Sequence, residues 1–184
     1  MYEVEYKVEI TKKERDELIE LFEKEGFLKK PETFLKDYFP EVNKSEYGGF
    51  NPIRYRDEGV RVIYTKKTWE KFNNEKIRKE IEHEVSREDL EFVLAQNTDT
   101  FTIQKHRQSF SGKYDGLDIH IDMDRVKFDH SPGERYFIEA ETMSENKENV
   151  EKLRKLMIEF IKKSLNKTEL IESPGMFSMA YKKL

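Results

Sequence analysis

Cysteine is absent, so neither a disulfide framework nor a thiolate zinc site can form, and a reducing compartment suits the chain. No apolar run approaches the roughly 20 residues that a membrane-spanning helix needs. The first residues, Met1-Tyr2-Glu3-Val4-Glu5, lack the basic-then-apolar pattern of a signal peptide. Neither sign of charge dominates: 34 basic residues stand against 38 acidic ones, a net charge of −4, which argues against a protein whose main task is coating nucleic acid. A Gly-rich phosphate loop, a G-x-S-x-G elbow and an H-E-x-x-H helix are also missing. These absences predict a cytoplasmic protein without nucleic-acid or membrane partners, present as a monomer or homodimer.

What is present is charge in alternation. Hydrophobic residues make up 36% of the 184 and charged residues 39%, a heavy charge load for a chain that reads as one domain, residues 1–184, with a core to bury. In a strand, successive side chains point to opposite faces, so Glu3, Glu5 and Lys7 share one face and Val4, Tyr6 and Val8 the other. The same parity returns at Arg54 and Arg56, Thr65 and Lys67, Arg78, Glu80 and Glu82, Lys105 and Arg107, His120, Asp122 and Asp124, and Glu139 and Glu141. A solvated sheet face would explain this. So would a barrel closed around a polar interior, its apolar outer face covered by helices.

Taken in order, the pattern predicts a strand over Tyr2 to Ile10, a helix capped by Thr11 and Glu14 and stopped by Gly26, and a strand over Glu32 to Phe39 with Leu35, Asp37 and Phe39 on one face. Pro40 to Pro52 reads as a loop and candidate lid, Ile53 to Arg56 and Val60 to Lys67 as a hairpin, and Thr68 to Glu75 as a polar loop. A strand over Lys76 to Val85 and a helix from Ser86 to Gln96 follow. Further strands are expected at Thr100 to Phe110, Leu117 to Val126 and Arg135 to Thr142. Each half then reads strand, helix, three strands, which suggests a structural duplication. A long amphipathic helix, Lys147 to Leu165, carries Leu153, Met157, Phe160 and Ile161 on its stripe, and a docking segment Met176 to Tyr181 ends the chain.

Carboxylate clusters without cysteine suit a hard divalent cation, Mg2+ or Mn2+, while arginine and lysine match phosphate oxygens. The ligand that needs both is a polyphosphate with its metal, and the chemistry is phosphoryl transfer. Glu3-Val4-Glu5-Tyr6-Lys7 resembles the E-x-E-x-K signature of the CYTH superfamily, the triphosphate tunnel metalloenzymes that include class IV adenylate cyclases and thiamine triphosphatases. The R-x-R, T-x-K, R-x-E-x-E, K-x-R, aspartate strand and closing E-x-E follow in that family's order, over almost the whole chain.

The resemblance implies an α+β fold with a closed eight-stranded antiparallel β-barrel and helices packed outside. It implies Glu3, Glu5, Lys7, Glu139 and Glu141 as catalytic residues. A metal shell of Glu3, Glu5, Glu139 and Glu141 would be completed or supported by Glu80, Glu82, Asp122 and Asp124. Lys7, Arg54, Arg56, Lys67, Arg78, Lys105 and Arg107 would hold a small-molecule triphosphate. Parity with Thr65 favours Lys67 over Lys66, and Asp124, followed by Arg125-Val126, matches the family aspartate better than Asp122. The implied function is a metal-dependent triphosphatase acting on inorganic, thiamine or nucleoside triphosphate. The alternatives are an adenylate cyclase releasing pyrophosphate and a binding module that turns nothing over.

Overall fold

The computed structural model describes residues 2–44, 50–72, 75–97, 100–129 and 131–181. The chain forms two compact units: residues 1–33, 106–127 and 132–179, and residues 34–105, 128–131 and 180–184.

The first unit holds β1 (Tyr2–Ile10), α1 (Lys12–Lys24), the two-residue β2 (Leu28–Lys29), most of β7 (Phe101–Tyr114), nearly all of β8 (Leu117–Phe128), β9 (Glu134–Ser144) and α3 (Val150–Leu165). Hydrogen-bonded order runs β1-β9-β8-β7, with β2 on β7. Both capping signals of α1 hold: the Thr11 hydroxyl accepts from the Glu14 amide, and the Glu14 carboxylate accepts from the Thr11 amide. The helix ends in a Schellman turn, with Gly26 at φ +80° and the Phe27 amide donating to the Phe22 carbonyl, so that Phe27 folds back onto Phe22 at 5.3 Å between ring centres. Asp115 and Gly116, both at positive φ, make the tight turn between β7 and β8. That Asp-Gly pair was readable in the sequence, yet the strand runs four residues past the expected Phe110 to reach it.

One face of this sheet carries Tyr6, Val8, Ile10, Ile119, Ile121, Met123, Ile138 and Ala140, packed under Leu18 and Phe22 of α1 and Met157, Phe160 and Ile161 of α3. Phe22 stacks on Phe160 at 5.7 Å. A 3-10 turn, Lys147–Asn149, precedes α3, so the long helix begins three residues later than its pattern predicts. On the outer edge of β1, Glu172 bridges to Val8 and the Ser173 amide donates to the Lys7 carbonyl. The last helix is α4, Met176–Tyr181.

The second unit holds β3 (Thr33–Lys44), β4 (Phe50–Asp57), β5 (Val62–Phe72), β6 (Glu75–Val85) and α2 (Arg87–Gln96), in the order β7-β3-β4-β5-β6 with the start of β7. Here the sequence reading needs correction twice. Pro40 to Lys44 and Phe50 to Pro52 are strand, and residues 45–49 of the expected lid lie outside the described residues. Thr68 to Phe72 and Glu75 are strand as well, so β5 and β6 form one long hairpin where a polar loop was expected. Asn, Pro, Lys and Glu suppressed the strand signal there, but an antiparallel partner across the sheet outweighs weak local preference. The helix α2 lies where it is expected, opened by a capping box of Ser86 with Asp89. Its Arg87 forks onto Asp57 at 2.7 and 2.9 Å and donates to the Gly59 carbonyl, pinning the β4–β5 turn.

The duplication holds in element order, with the short β2 added, but not in the compact units. The first strand of each half pairs with the last strand of the other, β1 with β9 and β6 with β5. No described helix is long and apolar enough to cross a membrane.

A Cβ at Gly112 would lie 2.4 Å from Cδ1 of Phe27, inside the α1 stop and its ring cluster. Gly112→Ala is expected to lower unfolding free energy by about 1–3 kcal/mol in urea titration, as overpacking does. Gly175→Ala, where a Cβ meets nothing within 4 Å, is the near-neutral control.

Candidate functional site

Antiparallel register brings the predicted acids of the first unit together. Glu5 lies opposite Glu141 and Lys7 opposite Glu139, while on the far side of β9 Asp122 lies opposite Glu139 and His120 opposite Glu141. Register partners share a face, so Glu3, Glu5, Lys7, Glu139, Glu141, His120, Asp122 and Asp124 crowd the face turned away from the helices.

The charges there are not balanced pairwise. Lys7 Nζ is 2.9 Å from Glu139 Oε2, and Glu5 hydrogen-bonds to the same Glu139, whose residue is 8% exposed. Two carboxyl groups can share a hydrogen bond only if one holds the proton. Burial, then the bond to Glu139 and its charge, push Glu5 up to about 8. Burial would raise Glu139 too, but Lys7 and the bond from Glu5 outweigh it and hold Glu139 below the usual carboxylate range. Glu141 is pushed up to about 7 by burial and then by the charge of Glu3. Burial alone would lower Lys7, yet Glu139 and Glu5 raise it.

Asp122 and Asp124 answer to Arg107. Its Nε and Nη2 fork onto Asp124 at 2.7 and 2.8 Å, and Nη1 donates to Asp122. Asp122 also accepts from Ser109 at 2.6 Å and meets His120 Nε2 at 3.0 Å. Against a burial penalty, His120, Arg107 and Ser109 keep Asp122 below its ordinary value. Ser109 was missed in the sequence, although its parity with Lys105 and Arg107 was the signal that could have found it.

The second unit gathers a basic group. Arg54 Nη2 donates to Thr65 Oγ1 at 2.8 Å and to Glu82 Oε1 at 3.0 Å, and the Thr65 hydroxyl donates to the same Glu82 oxygen at 2.8 Å. Arg56 Nε and Nη2 lie 2.7 and 3.1 Å from Asp37, and Lys105 Nζ lies 2.8 Å from Asp37 Oδ2. Burial would raise Asp37, but Lys105, Arg56 and Arg54 hold it well below its ordinary value. The sequence reading placed Asp37 on the right face and gave it no role. In register Lys67 faces Glu80, with Arg78 two residues from it on β6, but the side chains of Lys67, Arg78, Glu80 and Trp69 lie outside the described residues. His83 is exposed and His106 half-buried, and His130 lies outside the described residues.

Among the described residues, no set of three or more His, Asp or Glu side chains converges closely enough to hold a metal ion. The donor chemistry nevertheless fits a hard cation. Acid in excess of base around Glu5, Glu139 and Glu141 is what a divalent ion relieves, and Mg2+ often takes only one or two carboxylates, leaving its other positions to water and phosphate.

An antiparallel α+β fold with acids gathered on one face of one unit, and bases in the other, describes a class of protein suited to cations and anions together. The sequence profile of the CYTH domain matches residues 1–170, and the chain belongs to that family. Solved structures agree on the fold. A protein from Pyrococcus horikoshii OT3 is 22% identical with a TM-score of 0.67, each chain covered in full. A putative adenylate cyclase from Bacillus halodurans is 13% identical with a TM-score of 0.62, covering 96% of each chain. A Hippeastrum protein described as a putative adenylyl cyclase with a dominant triphosphatase activity is 14% identical, TM-score 0.60, covering 98% of this chain and 96% of its own. Comparison with curated proteins finds no match.

The raised carboxyl groups set a pH dependence. A folded-state value above the unfolded one means that the folded state holds more protons between the two, so stability falls as pH rises through that window. Metal-free protein is expected to lose stability from about pH 4.5 toward 8, as Glu5 and Glu141 lose their protons. Urea midpoints measured from pH 5 to 8 test this, and the slope should flatten in Glu5→Gln.

Proposed function

We infer that the chain is a single CYTH domain whose strands close into an eight-stranded tunnel, and that it hydrolyses a small-molecule triphosphate with Mg2+ or Mn2+. The observation that carries this is the Glu5–Glu139 carboxyl pair beside Lys7, since binding anions alone calls for no pair of adjoining carboxyl groups. Glu3, Glu5, Glu139 and Glu141 would hold the cation, which when bound neutralises phosphate oxygens and lowers the pKa of coordinated water.

The remaining work falls to the protein's own side chains. Lys7, ion-paired to Glu139, is assigned to a phosphate oxygen next to the carboxylates. Arg54, Arg56 and Lys105 present guanidinium and ammonium donors for the phosphates, with Lys67 and Arg78 assigned to the same task by the family pattern. Arg107 is committed differently: with Nε, Nη1 and Nη2 all on Asp122 and Asp124, it fixes those aspartates, which we assign a supporting place behind the metal ligands. Glu82, bonded to Arg54 and Thr65, is likewise assigned to orienting Arg54. Dispersal of charge over these groups suits hydrolysis at the terminal phosphorus, where the barrier is set by positioning and electrostatics. The absence of cysteine fits work in the cytoplasm, as a monomer or a homodimer.

A screen of Mg2+ and Mn2+ against inorganic triphosphate, thiamine triphosphate and ATP, with products resolved, is expected to release orthophosphate. Cyclic AMP with pyrophosphate would establish a cyclase instead, and tight binding without turnover a binding module. Glu139→Gln is expected to remove turnover. Arg54→Ala should raise KM roughly tenfold or more, the size of a lost hydrogen bond between charged groups.

A further inference from the structure

Lys7 is held from more than one side. Its ammonium lies 2.9 Å from Glu139 Oε2 on the charged face, and its carbonyl accepts from the Ser173 amide at 2.9 Å. Successive residues of an antiparallel strand bond to opposite sides, so Lys7 turns its backbone groups away from β9 and toward the tail of the chain. Its pair with Glu139 is then of the kind without ladder hydrogen bonds, in which side chains stand closest. Tyr6, one residue earlier, buries its ring on the opposite face, and the guanidinium carbon of Arg154 from α3 lies 5.2 Å from the ring centre. The same guanidinium donates to Glu172, which bridges to Val8. One side chain of α3 thereby touches both the ring under β1 and the tail beside it. β1 is the end strand of the hydrogen-bonded order, and an end strand frays more readily than an inner one.

We propose that Arg154 is a positioning residue for Lys7: by joining Tyr6 to Glu172 it keeps the tail on the edge of β1 and fixes the strand's twist where Glu5 and Lys7 enter the site. The inference rests on the triphosphatase reading and adds to it a residue outside the charged motifs, on a helix that covers the other face of the sheet. The Arg154 and Glu172 side chains are 41% and 49% exposed, so their ion pair adds little to stability. Its effect is on geometry instead. Where β1 twists, Glu5 and Lys7 swing with it, and a misplacement of about 1 Å at a reacting group costs roughly a hundredfold in rate.

The test compares wild type with Arg154→Ala and with Ser173→Pro, which removes the amide that reaches Lys7 and no charge. Two readings are taken: amide hydrogen exchange at Ser173 by NMR, and steady-state kinetics with inorganic triphosphate and Mg2+, expressed per folded molecule. Ser173 is expected to be protected in wild type and to exchange at least roughly tenfold faster in Arg154→Ala. Both variants should lose roughly tenfold in kcat/KM, most of it in kcat, whereas a merely structural role would move the urea midpoint and leave kcat per folded molecule alone. Arg154→Lys, which keeps a cation for Glu172 and the Tyr6 ring, should recover most of the loss. Lys167→Ala frees the far end of the tail from Glu14 and is expected to keep wild-type kcat. An equal loss there would make general loosening of the tail sufficient and would overturn the role of Arg154. So would a folded Arg154→Ala with wild-type kcat, or an unprotected Ser173 amide in wild type. Should Arg154→Ala fail to fold, Ser173→Pro carries the test, and wild-type kinetics in it would sink the idea. Wild type that turns over no triphosphate would remove the functional reading, and the Arg154 proposal with it. Wild-type turnover alongside unaltered variants removes only the role of Arg154.

Discussion

The structure depends on the two-residue period of the antiparallel strand, which assigns every side chain to one of two faces. In the first unit that period sends Tyr6, Val8, Ile10, Ile138 and Ala140 under α1 and α3, and sends Glu3, Glu5, Lys7, Glu139 and Glu141 the other way. A slip of one residue between β1 and β9 would put carboxylates into the helix-covered core and aromatic rings among the charges. The apolar face thereby holds in register a charged face that would not assemble by itself, since neighbouring carboxylates repel.

Within the charged face, the two units resolve repulsion in different ways. Where acid exceeds base, as around Glu5, Glu139 and Glu141, the surplus is met by protonation, which raises Glu5 and Glu141. At Arg56 and Lys105, which cannot shed a proton at neutral pH, one buried carboxylate, Asp37, is shared by two cations. Arg107 with Asp122 and Asp124 pairs base with acid directly, between β7 and β8.

The helices and their ends were legible because capping is local chemistry. Thr11 with Glu14 and Ser86 with Asp89 each satisfy free amides within one turn, so four residues suffice to mark a start. The extent of β3, β5, β6 and β7 was not legible, because a strand continues for as long as a partner is available across the sheet. Proline at 40, glutamate at 70 and glycine at 112 all sit in strands on that account.

The site divides along the same line. Parity in the amino-acid sequence determined which charges share a face, since alternation is a property of any extended chain, and the order of those charged pairs pointed to the family. Which charge touches which was settled only by packing in three dimensions. That Glu5 leans on Glu139, that Arg107 reaches Asp122 and Asp124, and that Asp37 gathers Arg56 and Lys105 all depend on how strands lie across the sheet. Their register and the burial around them decide whether a charge is met by a proton or by an ion-pair partner.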